Sequence, residues 1–145
     1  MRESGFGGLL AAAMLLSLAG CADPFAEEEW RRRIGVIDVG GSQPGTLQLP
    51  DTVAIATTFT VTVRTYGSST CTRADGARVE VEGLVAEITP YDRVLEEGVC
   101  TDDLAPFPRV VALRFDEPGE ALVRVVGRSL SGFGAEIERS LFVRP

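Results

Sequence analysis

The stretch FTVTVRTY, residues 59–66, decides the fold class predicted for this chain of 145 residues. Its apolar side chains occupy every second position and its polar side chains occupy the positions between them: Phe59, Val61 and Val63 alternate with Thr60, Thr62 and Arg64. A period of two places the apolar set on one face of a β-strand and the polar set on the other. The stretch is therefore predicted to be a strand with one buried face and one solvated face.

The same alternation recurs along the second half of the chain. It is found in RVEVE (78–82), LVAEIT (84–89), VVALRF (110–115), ALVRVVGR (121–128) and AEIERSLFVR (135–144). Earlier in the chain, IGVIDV (34–39) and LQLPDTVAI (47–55) are predicted to be the first strands, and Pro50 is expected to split the second of them. Arg139 interrupts the last pattern, which predicts a bulge or an exposed edge at that position.

Short turn motifs separate these stretches, among them YGSS (66–69), ADG (74–76) and EPG (117–119). Short strands that are polar on one face favour antiparallel pairing over a parallel sheet. We therefore predict an all-β domain over residues 34–145, folded as an antiparallel sandwich of seven or eight strands. A small closed barrel is the alternative architecture.

This pattern resembles the immunoglobulin-like domains of bacterial surface proteins. The resemblance rests on the number and length of the strands, and it implies an immunoglobulin-like sandwich. One departure from antibody domains is that no core tryptophan follows Cys71, since the only tryptophan of the chain is Trp30. The resemblance therefore does not carry antibody-like binding surfaces over to this chain.

The amino terminus has the pattern of an export signal. Residues Gly5–Ala19 form an uncharged apolar run that is shorter than the roughly 20 residues of a membrane-spanning helix. The run ends in a sequence that resembles the lipobox of bacterial lipoproteins: Leu18, Ala19, Gly20 and Cys21. The resemblance implies that residues 1–20 are a signal peptide, that Cys21 carries fatty acids such as palmitate, and that a mature chain of 145 − 20 = 125 residues follows cleavage. The alternative is an ordinary signal peptide, or a cysteine that ends a buried helix.

The residues after Cys21 bear on location. In lipoproteins an aspartate directly after the cysteine tends to retain the protein in the inner membrane, and Ala22 stands there in this chain. The resemblance therefore implies a lipid anchor in the bacterial cell envelope, at the outer membrane, facing the periplasm. Residues 21–33 contain Pro24, an acidic run and a basic run, so we predict a flexible tether there.

The two remaining cysteines, Cys71 and Cys100, lie in an exported chain once Cys21 is lipidated. An oxidising compartment favours their pairing, so we predict a disulfide that joins loops at one pole of the domain. No Cys-x-x-Cys motif is present, which argues against a redox role.

Composition limits the chemistry of this chain. The net charge of −7 argues against nucleic acid as a partner and discourages close approach to anionic lipid headgroups. The chain has no histidine and no lysine, which removes the Ser-His-Asp triad, lysine Schiff bases and His-ligated zinc. A carboxylate pair remains as possible catalytic machinery, and the candidate acids are Asp92, Asp102, Asp103, Asp116, Glu117 and Glu120.

We expect these six acids to be solvated in loops, so we predict that the protein is not an enzyme. Such acids can hold calcium, but no Asp-x-Asp-x-Asp-Gly spacing is present. We therefore predict neither a metal site nor a cofactor.

Residues 91–108, YDRVLEEGVCTDDLAPFP, form the longest stretch without strand alternation and are predicted to be a loop. Held by the disulfide, the loop can present a recognition surface made of Tyr91, Asp102, Asp103, Leu104 and Phe107. Alternatively, Leu104 and Phe107 cover the core while the acids face water. The sequence thus predicts a non-catalytic binding or adaptor module for a protein or glycan of the envelope. The alternative function is a structural accessory subunit of an outer-membrane complex.

Overall fold

The computed structural model describes residues 29–40 and 45–145, and these residues form an all-β domain. The predicted signal peptide, the predicted lipobox and Cys21 lie outside the described residues. Within the described residues, no helix is long and apolar enough to cross a membrane. Ten strands are present: β1 (Trp30–Ile34), β2 (Val36–Asp38), β3 (Leu47–Gln48), β4 (Thr52–Ala54), β5 (Phe59–Gly67), β6 (Thr72–Glu82), β7 (Val85–Leu95), β8 (Ala105–Leu113), β9 (Gly119–Ser129) and β10 (Gly134–Arg144).

One part of the sheet is built around β7 and β9. β6 and β7 form an antiparallel hairpin, and β9 and β10 form a second one. The two hairpins join where the first half of β7 runs parallel to β9, with Val85 opposite Leu122 and Ile88 opposite Val125. The second half of β7 pairs instead with β1, which is antiparallel to it. β4 runs parallel to the end of β10.

The other part of the sheet is built around β5. β8 pairs with β5 along its whole length, antiparallel, and β3 pairs with the middle of β5. β2 joins the two parts, because it pairs antiparallel with β5 and parallel with β9. The ten strands thus form a single mixed sheet that curls on itself.

The inside of the curled sheet is one hydrophobic core. Val61 and Val63 of β5 meet Ile88 of β7 and Val123 and Val125 of β9, and all five side chains are buried. Phe115, which follows β8, packs against Phe59 at a ring-centroid distance of 5.9 Å. The alternation read from residues 59–66 is therefore confirmed, because its apolar face points into this core.

A glycine allows the chain to pass from one part of the sheet to the other. Gly35 lies between β1 and β2, where its N–H donates to the carbonyl of Pro90 at 2.9 Å and its carbonyl accepts from the N–H of Arg128 at 2.9 Å. A Cβ atom at this position would lie 2.3 Å from Cγ2 of Thr65. Only glycine permits so close an approach of three chain segments.

The structure corrects the predicted architecture in two respects. The sheet is mixed rather than purely antiparallel, and it has ten strands rather than seven or eight. β8 lies between β7 and β9 in the sequence but pairs with β5, so β7 and β9 can run in the same direction. The prediction missed the parallel contact because it covers only a short stretch of strands that are antiparallel to their other neighbours.

The predicted tether was also too long. Its last residues belong to β1, which pairs with β7 from Trp30 opposite Leu95 to Ile34 opposite Tyr91. Hydrophobic alternation does not reveal this strand, because three of its five residues are arginines and only Trp30 and Ile34 are apolar. Pairing with β7 supplies the backbone hydrogen bonds that the sequence pattern does not reveal.

Half of the predicted loop over residues 91–108 is strand. β7 continues to Leu95 and β8 begins at Ala105, so the connecting loop comprises residues 96–104. The pattern failed in β7 because the inward position is taken by a buried aspartate, Asp92. In β8, Pro106 and Pro108 are two residues apart, so their missing N–H groups fall on the same edge, and an edge strand tolerates this on its unpaired side.

Candidate functional site

Three arginines lie side by side on the outer face of the sheet. Strand register places Arg32 of β1 opposite Arg93 of β7, and Arg93 opposite Arg73 of β6. Residues directly opposite each other on neighbouring strands share a face, and neighbouring strands lie about 4.8 Å apart. The side chains of Arg32 and Arg93 are 56% and 59% exposed, and Arg73 is exposed as well. We call this set the arginine row.

Two aromatic rings flank the arginine row. The guanidinium of Arg73 lies 4.1 Å from the ring centroid of Trp30, and that of Arg32 lies 4.0 Å from the ring centroid of Tyr91. Trp30 and Tyr91 are half-buried and stand two residues from Arg32 and Arg93 on their own strands, hence on the same face. Stacking holds each guanidinium flat against a ring face and directs its N–H groups outward along its edges. We call the arginine row and these two rings the arginine face.

One carboxylate is in contact with the arginine row. Oδ2 of Asp75 lies 3.1 Å from Nε of Arg32, and Oδ1 lies 3.4 Å from Nε of Arg93. Asp75 reaches this place because β6 bulges between Ala74 and Ala77, with Gly76 at a φ of +77°. Three positive charges thus meet one negative charge, and within the described residues Arg73 forms no ion pair.

The other two arginines of β1 are neutralised. Nε of Arg31 lies 3.0 Å from a carboxylate oxygen of Glu96, and its Nη2 lies 2.7 Å from Glu29. Arg33 is also paired with Glu96. These bonds raise the pKa of Arg31, chiefly through its hydrogen bond to Glu29. On β1, positive charge in excess of its ion-pair partners therefore remains on one face only, the face of the arginine row.

A buried ion pair lies beneath this part of the sheet. Arg109 of β8 and Asp92 of β7 have side chains that are 7% and 3% exposed, and Nη2 of Arg109 lies 2.6 Å from Oδ1 of Asp92. The same carboxylate oxygen accepts a hydrogen bond of 2.8 Å from the hydroxyl of Thr65 on β5. Burial of charge is tolerated here because the carboxylate is paired and hydrogen-bonded.

Arg109 also binds the backbone that carries the arginine face. Its Nη1 donates to the carbonyl of Gly76, at 2.9 Å, and to the carbonyl of Tyr91. The first contact fixes the bulge that positions Asp75, and the second fixes β7 beside Arg93. Within the described residues, Nε of Arg109 is the one buried side-chain nitrogen or oxygen without a partner. Arg109 is thus a positioning residue for the arginine face.

The predicted disulfide is present. Cys71 and Cys100 are bonded, with their Cα atoms 5.5 Å apart. The bond connects the turn between β5 and β6 to the 96–104 loop, so it joins loops at one pole, as predicted. β1 also begins at this pole, because Trp30 lies opposite Leu95 and the N–H of Leu95 donates to the carbonyl of Cys71.

Hydroxyl groups surround the disulfide. The hydroxyl of Thr101 lies 2.9 Å from that of Ser68 and 3.1 Å from that of Ser69. Asp103 accepts a hydrogen bond from the hydroxyl of Thr101 and one of 3.0 Å from the N–H of Ser69. These bonds, with that from Thr101 the largest, lower the pKa of the Asp103 carboxyl. Asp103 therefore fixes the loop to the β5–β6 turn.

The structure separates the residues of the predicted binding loop. Tyr91 belongs to the arginine face, whereas Phe107 lies on β8, half-buried opposite Thr65. Asp102, Asp103 and Leu104 are exposed in the 96–104 loop, and Leu104 is 43% exposed. Leu104 therefore does not cover the core.

Of the six candidate catalytic acids, two lie on strands instead of in the predicted loops: Asp92 is buried on β7, and Glu120 is exposed on β9. The other four are exposed as well, namely Asp102, Asp103, Asp116 and Glu117. Among residues 29–40 and 45–145, no group of three or more Cys, Asp or Glu side chains is arranged to hold a metal ion.

Sequence reasoning missed the arginine face, although a signal for it exists. Arg32 and Arg93 each have an aromatic residue two positions before and an aliphatic residue two positions after: Trp30 and Ile34 for the first, Tyr91 and Leu95 for the second. This pattern marks both arginines as members of a strand face. Their alignment with Arg73 depends on strand register, which the sequence does not reveal.

The side chains of the arginine face are exposed or half-buried. None of the cavities found among the described residues is lined by them; two of these cavities, about 540 Å³ and 460 Å³, lie beside Leu47 of β3 and beside Leu130 after β9. The arginine face is thus better suited to an extended anionic surface than to a small enclosed ligand. Comparison of the chain with protein-family models, curated proteins and solved structures finds no match.

Proposed function

We propose that this chain is a lipid-anchored, non-catalytic binding module of the bacterial cell envelope. Its binding surface is the arginine face, and its ligand carries anionic groups. The lipobox at Leu18–Cys21 supports the anchor and a location at the outer membrane, because the cysteine follows an apolar run of export-signal length. The disulfide supports an oxidising compartment.

The arginine row is the observation that carries the proposal. Like charges directly opposite each other on neighbouring strands destabilise a sheet, yet Arg32, Arg93 and Arg73 stand in one line across three strands. The chain as a whole is acidic, so excess positive charge is not its general surface character. Sequences depart from such stabilising patterns chiefly at functional sites. Binding of an anionic ligand would relieve the repulsion among these arginines.

The lack of catalysis is part of the proposal. The chain has neither histidine nor lysine, so carboxylates are its available general bases near neutral pH. Asp92 is the buried candidate, and its Oδ1 is held by Arg109 and Thr65. A carboxylate engaged in this way supports the fold instead of abstracting a proton.

A structural accessory subunit remains the second candidate function, and one feature favours it. Val79 and Val81 of β6 stand opposite Ile88 and Ala86 of β7, so they continue the core face of β7. They are nevertheless 36% and 42% exposed at the edge of the sheet. A partner subunit that covers this edge would bury them.

The immunoglobulin-like assignment also belongs to the proposal. It is supported by a core shared between β5 on one side and β7 and β9 on the other. An experimental structure in which these strands form two separate sheets would favour it.

A pull-down from detergent-solubilised envelope separates the two functions. The double variant Arg32→Gln with Arg93→Gln should lose a salt-sensitive ligand that the unmodified protein retains, because two of three cations are removed. The double variant Val79→Ser with Val81→Ser should retain it. If only the second variant loses its partner, the accessory-subunit function is correct and the binding module is not.

A further inference from the structure

We propose that the arginine face lies against the phosphate groups of anionic phospholipids, in the same bilayer that holds the acyl anchor. The contact orients the domain on the membrane. This inference rests on the proposed function for the anchor and names the partner of the arginine face. Four features of the chain carry it.

The first feature is where the chain enters the domain. Cys21 precedes Trp30 by nine residues, and an extended chain spans at most about 3.6 Å per residue. With Cys21 in the bilayer, Trp30 therefore lies within about 32 Å of the membrane surface. Trp30 is itself part of the arginine face, since Arg73 stacks on its ring. The anchor thus keeps this face within reach of the lipid headgroups.

The second feature is the chemistry of the face. Guanidinium groups bind phosphate through two parallel N–H bonds, and tryptophan and tyrosine are the residues enriched at membrane–water interfaces. Each arginine near an anionic bilayer strengthens binding about fivefold. The arginine face combines three arginines with one tryptophan ring and one tyrosine ring.

The third feature is the distribution of charge along β7. Glu87 lies on the same outer face as Arg93, six residues away, which is about 20 Å along a strand. Glu80 of β6 stands directly opposite Glu87. Arg124 of β9, on the other side of Glu87, is paired with Glu136 and Glu138 of β10, so acids outnumber arginines at this end of the face. Exposed charges farther apart than about 8 Å are largely screened at physiological salt. The net charge of −7 therefore does not prevent the basic end from approaching a bilayer.

The fourth feature indicates that the domain contacts the membrane through its sheet face and not through its end. The 96–104 loop stands at the pole where the chain enters and contains four acids in nine residues. An end-on approach would press these acids against lipid phosphates. Contact through the sheet face avoids this repulsion and brings the arginine row to the headgroups.

Trp30 provides the test, because it is the only tryptophan of the chain. The protein, purified as bacteria process it, is mixed with vesicles of brominated phosphatidylcholine, with or without 30% phosphatidylglycerol. Flotation with the neutral vesicles reports the acyl anchor. Quenching of Trp30 fluorescence by brominated lipid reports contact of the arginine face. We expect flotation with both vesicle types, but strong quenching only with phosphatidylglycerol and only at low salt.

Two variants sharpen the test. Arg32→Gln with Arg93→Gln keeps the Trp30–Arg73 contact and should raise the half-quenching concentration of phosphatidylglycerol at least tenfold. Arg114→Gln with Arg144→Gln removes two exposed arginines outside the arginine face, one directly after β8 and one at the end of β10, and should leave that concentration unchanged. Equal effects of the two pairs would show that total charge, not the face, governs contact, and would overturn the inference.

The outcomes test the proposed acyl anchor and the proposed lipid contact of the arginine face separately. Flotation without phosphatidylglycerol-dependent quenching overturns the inference and leaves the anchor standing. Quenching without flotation on neutral vesicles overturns the anchor and supports the face. If lipid quenching is absent while the protein binds an immobilised acidic polysaccharide in a manner that Arg32→Gln with Arg93→Gln abolishes, the partner is a glycan and the membrane inference is wrong.

Discussion

Arg109 holds three separate parts of the chain together from a single buried position. Its guanidinium bonds Asp92 of β7, the carbonyl of Gly76 in the β6 bulge and the carbonyl of Phe107, at distances of 2.6, 2.9 and 3.2 Å. A buried ion pair gains little over a hydrophobic pair of similar volume, but an unpaired buried charge is costly. The contribution of Arg109 is therefore geometric: it fixes the backbone beneath the arginine face.

Replacing Arg109 with methionine should destabilise the domain by about 3–5 kcal/mol, because Asp92 is left charged, buried and unpaired. Adding Asp92→Asn should recover part of this loss, since the charge is then gone while the carbonyl groups still lack their donor. Urea unfolding followed by circular dichroism measures both variants. Arg114→Met, at an exposed ion pair, is the control and should change the free energy of unfolding by less than about 0.5 kcal/mol. A small effect of Arg109→Met would mean that water reaches this pair.

Elements with a regular apolar face could be predicted from the sequence, and elements without one could not. Alternation found β5, β9 and the second half of β8, whose inward residues are hydrophobic and buried. It missed β1, with its three arginines, and the end of β7, where Asp92 takes an inward position. Arg139 was assigned to a bulge or an edge, and the edge is correct: β10 pairs with β9 without a register shift, and β4 covers only the last residues of its other side. Hydrophobic periodicity reports burial of apolar side chains, so it fails where a strand buries charge or pairs at an edge.

The arginine face could not be predicted from the sequence, because it depends on strand register. The three arginines come from positions 32, 73 and 93, and a slip of one residue in either pairing would send one of them to the opposite face. The bulge at Gly76 sets the β6 register here, and its contact with Arg109 is a tertiary one. Tyr91 was singled out for a loop surface, and the structure places it instead on a strand of this face.

The disulfide is the element-scale constraint on the pole where the chain enters. Cys71 and Cys100 are 29 residues apart, and closing a loop of that length stabilises a domain by about 3–4 kcal/mol in the chain-entropy model. Replacing both cysteines with alanine should lower the free energy of unfolding by that amount in urea under non-reducing conditions. Dithiothreitol should lower the stability of the unmodified protein similarly and leave the double variant unchanged. Mass spectrometry that finds both thiols free in the native envelope would contradict the bond.

At the scale of the whole molecule, the start of β1, the disulfide and the arginine face lie at one end of the described domain. β1 begins beside the disulfide pole, and the arginine row crosses the sheet at the same end of β7. The acidic pair Glu80 and Glu87 lies toward the other end of the hairpin. A domain with this polarity has a preferred orientation at an anionic surface, even though its net charge is negative.

Cys21→Ser tests the anchor itself. Serine has no thiol to receive the lipid, so the variant should neither incorporate a fatty-acid label nor stay in the membrane fraction at high salt. Each buried methylene of an acyl chain contributes about 0.8 kcal/mol, whereas the arginines of the arginine face make charge contacts that salt screens. At low salt the variant should therefore keep a weak association with anionic membranes, which Arg32→Gln with Arg93→Gln removes. The control is Cys71→Ala with Cys100→Ala, which should still incorporate the label, because these cysteines lie outside the lipobox. If Cys21→Ser still floats with membranes in 1 M salt and carries the label, the lipoprotein assignment is wrong.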